Sequence, residues 1–139
     1  MLRLILIRHG ETERNSEAKL QGGESDVPLN ERGRKQAVCL GLALRGERLE
    51  AIYSSPLKRA FDTAQAISVH HLLKVQTVDA LAELDMGVID GLDLAEVKES
   101  LLGLQTWRMI LSLSTEARFG RRWTWPLFHS FFSFYNLSC

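Results

Sequence analysis

The sequence predicts an α/β fold around a mostly parallel sheet, and three observations carry the prediction. Leu4-Ile5-Leu6-Ile7 is an uninterrupted aliphatic run that stops at Arg8-His9-Gly10, the pattern of a strand buried on both faces. Ala51-Ile52-Tyr53-Ser54 and Lys74-Val75-Gln76-Thr77-Val78 read as two further short strands. The stretches before each of them place apolar residues at helical spacing, and strands that alternate with helices build parallel sheets.

Composition sets the bounds. A chain of 139 residues is one domain of ordinary size. The formal net charge of zero gives no electrostatic footprint for nucleic acid, so none is expected as a partner. Cys39 and Cys139 form neither a disulfide framework nor a zinc spacing. The apolar start is too short for a signal peptide and no apolar run reaches membrane-spanning length. A cytoplasmic protein that does not engage a membrane is expected.

Arg8 and His9 close the first strand, at the end of a parallel sheet where ligands bind. An imidazole can attack a phosphoryl group and carry it covalently. A neighbouring guanidinium can hold phosphate oxygens with paired hydrogen bonds, and Gly10 allows a tight turn beside them. Residues 11–29 are polar and rich in turn formers, including Asn15, Gln21, Gly22 and Pro28, and read as a loop over the sheet end. Asn15 either shapes that loop or donates its amide to an anion.

Asn30 is the predicted N-cap of a helix whose apolar face carries Ala37, Leu40, Gly41 and Leu44. Cys39 falls on or near that face. After residues 51–54, Ser55 is placed as the cap of a second helix, with Pro56 at its first position. Leu57, Ala60, Phe61, Ala64 and Ile67 form its apolar face, and Arg59 lies in its first turn. An arginine there adds a forked donor to a helix end that already favours anions. His70-His71 read as cations at the end of this helix. Glu83 and Asp85 follow in the segment Leu81 to Gly87, then Asp90-Gly91, then a helix over 92–104 with Leu94, Val97, Leu101 and Leu104 on one face.

Three blocks of this sequence together resemble the histidine phosphatase superfamily, which includes the cofactor-dependent phosphoglycerate mutases. The first is Arg8-His9-Gly10-Glu11-Thr12 with Asn15. It departs from the family pattern at Arg14, where Trp is frequent. The second runs from Asp26-Val27-Pro28-Leu29-Asn30 through Gly33 to Gln36-Ala37. The third is Ser54-Ser55-Pro56-Leu57-Lys58-Arg59-Ala60 with Thr63-Ala64. The resemblance implies a three-layer sandwich with a mostly parallel central sheet. It implies a phosphate-monoester hydrolase that works through a phosphohistidine, acting on a small-molecule phosphate ester without cofactor or metal. His9 is then the nucleophile. Arg8 and Arg59 hold the phosphate with Asn15, and Gln21 and Gly22 join the substrate-binding set. Glu83 matches the family's acid for the leaving oxygen, with Asp85 as its neighbour and competitor. Phosphoglycerate mutase-type phosphotransfer and a non-catalytic phosphate-binding remnant are the alternatives.

The last part of the chain is a different text. Nine of eleven aromatic residues lie from Trp107 onward, against one of seventeen acidic residues, Glu116. The family's fourth motif, a later strand ending in a second His-Gly, has no match there. His129 follows an apolar run, but Pro126 interrupts it and no Gly follows. The expectation is an incomplete phosphatase-like domain over 1–108 whose C-terminal strands are missing, and an atypical aromatic-rich tail over 109–139.

Overall fold

A computed structural model of the chain describes residues 3–100 and 132–134, with side chains described through Val97. The elements run β1 (Leu4–Leu6), α1 (Glu13–Ser16), α2 (Glu31–Leu44), β2 (Ile52–Ser54), α3 (Lys58–Ser68), β3 (Val75–Thr77), α4 (Leu94–Ser100) and β4 (Phe132–Phe134), with 3-10 turns at Asp79–Leu81 and Gly87–Ile89. β2 pairs in parallel with β3, Ile52 opposite Val75. β1 pairs in parallel with β4, Leu4 opposite Phe132. The aromatic-rich tail expected over 109–139 therefore supplies a strand; aromatic residues favour extended backbone even over three positions. Leu101, Leu104, Trp107, Arg108 and His129 lie outside the described residues.

α2 and α3 form one layer against the strands. Leu40 and Leu44 from α2, Ile52 from β2, and Ala64 and Ile67 from α3 make the core, with Ile5, Ile7, Leu49, Leu73 and Val75 packed against it. The apolar face expected for α2 is the one buried. Asn30 caps this helix as expected, its Oδ1 accepting the Gly33 N–H at 2.7 Å.

Two expectations change. β1 is buried on one face only: Ile5 and Ile7 meet the core, whereas Leu4 and Leu6 are 49% and 45% exposed. Side chains alternate across a strand, and only the α2–α3 side is covered among the described residues. α3 is not capped by Ser55. It begins at Lys58, whose N–H donates to Asp26 Oδ1 at 2.7 Å, while Ser55 Oγ accepts the Leu57 N–H at 3.3 Å. The carboxylate arrives from the loop before α2, so the helix end is tied to a distant segment.

Candidate active site

The turn after β1 is pressed onto the start of α2. A Cβ on Gly10 would stand 2.5 Å from the Gly33 carbonyl oxygen, and one on Gly33 would stand 2.0 Å from the Glu11 carbonyl oxygen. Both positions need a bare backbone. The Gly10 N–H donates to Thr63 Oγ1 at 3.1 Å, and that hydroxyl donates to the Arg59 carbonyl at 2.7 Å. The exit of β1 is thus tied to α3 one turn beyond Arg59. Glu11 serves the scaffold: its carboxylate accepts from Asn30 Nδ2 at 2.9 Å and pairs with Arg32 at 3.3 Å, and its N–H donates to Gln36 Oε1.

His9 Nδ1 lies 2.7 Å from the Gly10 carbonyl oxygen. A carbonyl only accepts, so Nδ1 carries the proton, and the lone pair of the neutral ring is on Nε2. The ring's pKa is lowered, chiefly by burial. The Gly10 hydrogen bond opposes this, the charges of Arg59 and Arg8 add to it, and Glu83 opposes it. The lowered pKa favours the neutral ring at pH 7, with its lone pair on Nε2.

Arg59 is 2% exposed. Its Nη1 donates to the Ser25 carbonyl at 2.6 Å and its Nη2 to the Gly22 carbonyl at 3.1 Å. Arg8 is exposed, and its charge reaches His9. Asn15 both shapes the loop and retains a donor. In a capping box with Thr12 at the start of α1, its Oδ1 accepts the Thr12 N–H at 3.1 Å, which leaves Nδ2 for another acceptor. Gln21 Oε1 lies 2.7 Å from Thr12 Oγ1, while Gln21 Nε2 is buried without a partner among the described residues.

The two candidate acids differ in placement. Glu83 is exposed, and its charge acts on both His9 and Arg59. Both carboxylates also accept backbone N–H groups, Glu83 Oε1 that of Leu84 at 3.0 Å and Asp85 Oδ1 that of Gly87 at 2.7 Å, a glycine whose φ is +51°. Gly23 joins the Glu83 segment to the loop after α1. Its N–H donates to the Leu84 carbonyl at 2.7 Å, and a Cβ on it would stand 2.2 Å from the Glu83 carbonyl oxygen.

Sequence reasoning missed a polar cluster beside these groups: Arg14, Ser25 and Asp90 bond to one another. Burial pushes the Asp90 pKa up, but bonds from the Ser25 hydroxyl, the Gly22 N–H and Arg14 outweigh it and hold the carboxyl below its ordinary range. The one available signal was Arg14 itself, a charge where the family pattern often has Trp. Among the described residues no three His, Cys, Asp or Glu side chains are grouped to hold a metal, and no helix is long and apolar enough to cross a membrane.

A family model described as histidine phosphatase superfamily, branch 1, matches residues 4–118. The chain belongs to this superfamily. Membership fits the α/β architecture with parallel strands. The chain is 44% identical over 99 residues to phosphoserine phosphatase 1 of Hydrogenobacter thermophilus, covering 71% of the chain and 46% of that protein. It is 36% identical over 116 residues to a probable phosphoglycerate mutase of Salmonella choleraesuis, covering 84% of the chain and 52% of that protein. A solved mycobacterial glucosyl-3-phosphoglycerate phosphatase, in complex with VO3, superposes with a TM-score of 0.67 at 33% identity, over 74% of the chain and 50% of that structure. The chain thus spans about half the length of the curated relatives it matches.

Proposed function

We propose that this site hydrolyses small phosphate monoesters through a phosphohistidine on His9. The observation that carries the reading is the Nδ1 contact to the Gly10 carbonyl, which leaves the Nε2 lone pair on a ring whose pKa is lowered. Nε2 attacks phosphorus in line as the ester P–O bond breaks, and Glu83 gives its proton to the leaving oxygen, because an alkoxide leaves poorly at neutral pH. Water, deprotonated by Glu83, then attacks phosphorus. The P–N bond breaks, and inorganic phosphate and free His9 result. Charge on the transferred group is spread over its oxygens, so stabilisation is electrostatic. Arg59 and Arg8 supply it without a metal, and Asn15 Nδ2 and Gln21 Nε2, which has no partner among the described residues, add neutral donors.

Relatives named as a phosphoserine phosphatase and a glucosyl-3-phosphoglycerate phosphatase support a small phosphorylated metabolite as substrate. The test is labelling of the 139-residue chain with a phosphodonor carrying labelled phosphate, followed by quenching. Acid-labile label at one equivalent, lost in His9→Ala, is expected; label that survives His9→Ala refutes the nucleophile. The fate of the label separates the alternatives. Release as inorganic phosphate is hydrolysis, return to a phosphorylated acceptor is mutase chemistry, and label that persists without turnover is the remnant.

A further inference from the structure

Arg14 and Asp90 take no part in the chemistry above, yet they are joined, although 76 positions apart. The Asp90 carboxylate receives the Arg14 guanidinium on Oδ1 and the Ser25 hydroxyl on Oδ2, and the Gly22 N–H helps to lower its pKa. Arg14 also donates to Ser25 Oγ. Gly22 and Ser25 are the same two residues whose carbonyls receive the Arg59 guanidinium. The segment between them is therefore gripped from two sides, by a carboxylate on one and by the phosphate-site arginine on the other.

A guanidinium is a planar fork. Two N–H bonds to two carbonyls fix its plane, and with it the direction of the N–H groups left for an anion. If the carbonyls move, the plane turns. We propose that Asp90, braced by Arg14, is a positioning residue for Arg59: it fixes the Gly22 and Ser25 carbonyls, and through them it aims the guanidinium at the phosphate. Arg14 holds this carboxylate in place through its bonds to Asp90 Oδ1 and Ser25 Oγ. The inference rests on the reading of the site as a phosphate site.

The test uses the full 139-residue chain, with inorganic phosphate as the probe, titrated calorimetrically, and the Arg59 Nε–Hε resonance as the geometric readout. Asp90→Asn keeps the volume but turns one acceptor into a donor facing Arg14 and Ser25. It is expected to weaken phosphate binding by about tenfold or more and to shift the Arg59 resonance, with the far-ultraviolet dichroism unchanged; Asp90→Glu is expected to recover part of the binding. Wild-type phosphate affinity with an unmoved Arg59 resonance in Asp90→Asn overturns the inference. If Asp90→Asn does not fold, Arg14→Met decides: the same two changes support the proposal, and an unmoved Arg59 resonance refutes it. A wild-type chain that binds no phosphate removes the reading of the site and this inference together, whereas wild-type binding with Asp90→Asn unaffected removes the inference alone.

Discussion

The two halves of the site are built differently. The half proposed to hold phosphate, His9 and Arg59, stands on the turn after β1 and the first turn of α3, tied through Thr63 and pressed onto α2 at Gly33. Arg59 is buried and makes two carbonyl contacts. The half that carries the proposed acid, residues 79–91, is two 3-10 turns with exposed Glu83, Asp85 and Val88. It is tied down by backbone bonds from Gly23 to Leu84 and between Leu20 and residues 91–92, and by Asp90. On the proposed mechanism the difference is a division of labour: the phosphate is the same in every ester, so its holder can be rigid, whereas the leaving alcohol varies and the proposed acid sits on the more open segment.

The comparison breaks most visibly at Gly33. A side chain there meets the Glu11 carbonyl oxygen at 2.0 Å, and overpacking of this kind costs about 1–3 kcal/mol. Gly33→Ala is expected to lower the melting temperature by several degrees and to weaken phosphate binding. Gly46, which has open space at its Cβ, is the control: Gly46→Ala should leave the melting temperature within about one degree, given the small effect of exposed substitutions.

A smaller effect sharpens the electrostatic link between the halves. The Glu83 carboxylate raises the His9 pKa against the larger pull of burial. Removing that charge lowers the pKa further. His9 must be neutral to attack, so labelling of His9 falls as pH drops through its pKa. The acid limb of the labelling rate should lie below the ordinary histidine value in wild type and move to still lower pH in Glu83→Gln. A limb that moves upward contradicts the placement of Glu83 near His9.

The smallest expected effect is at the start of α3. Asp26 Oδ1 accepts the Lys58 N–H, and its pKa is lowered chiefly by that bond. Loss of a cap costs about 1 kcal/mol, so Asp26→Ala should show a modest drop in the denaturation midpoint. The carboxyl's folded pKa is below its ordinary value of 3.8. Its stabilisation is therefore present above that value and lost as pH falls through the folded pKa, and the gap between Asp26→Ala and wild type should close in acid.

The phosphate half was legible in the sequence because its groups lie in short contiguous blocks at element ends. Arg8-His9 closes an aliphatic run, Asn30 precedes a clear helical period, and Arg59 sits just past Ser-Pro. The cluster of Arg14, Ser25 and Asp90 was not legible, because its bonds cross 65 and 76 positions and each residue alone reads as a surface polar group. Ser55 was placed as the cap of α3 because only a local side chain can be read from sequence, whereas Asp26 arrives from 32 positions away. The aliphatic run of β1 reads as buried on both faces, yet Leu4 and Leu6 stand exposed. Composition reports what a strand can bury, not which neighbours cover it.

The division of labour is tested most directly by the dependence of phosphohistidine formation on the leaving group. The rate at which His9 takes up phosphate is measured for esters ranging from activated aryl phosphates to simple alkyl phosphates, in wild type, Glu83→Gln and Arg59→Ala. Glu83→Gln should be nearly silent with the activated esters and lose progressively more as the alcohol becomes a poorer leaving group. Arg59→Ala should lose about the same factor with all of them, roughly a hundredfold for a charged donor lost from an anion at about 3 kcal/mol. Uniform losses for Glu83→Gln across the series, or losses for Arg59→Ala that track the leaving group, would contradict the account.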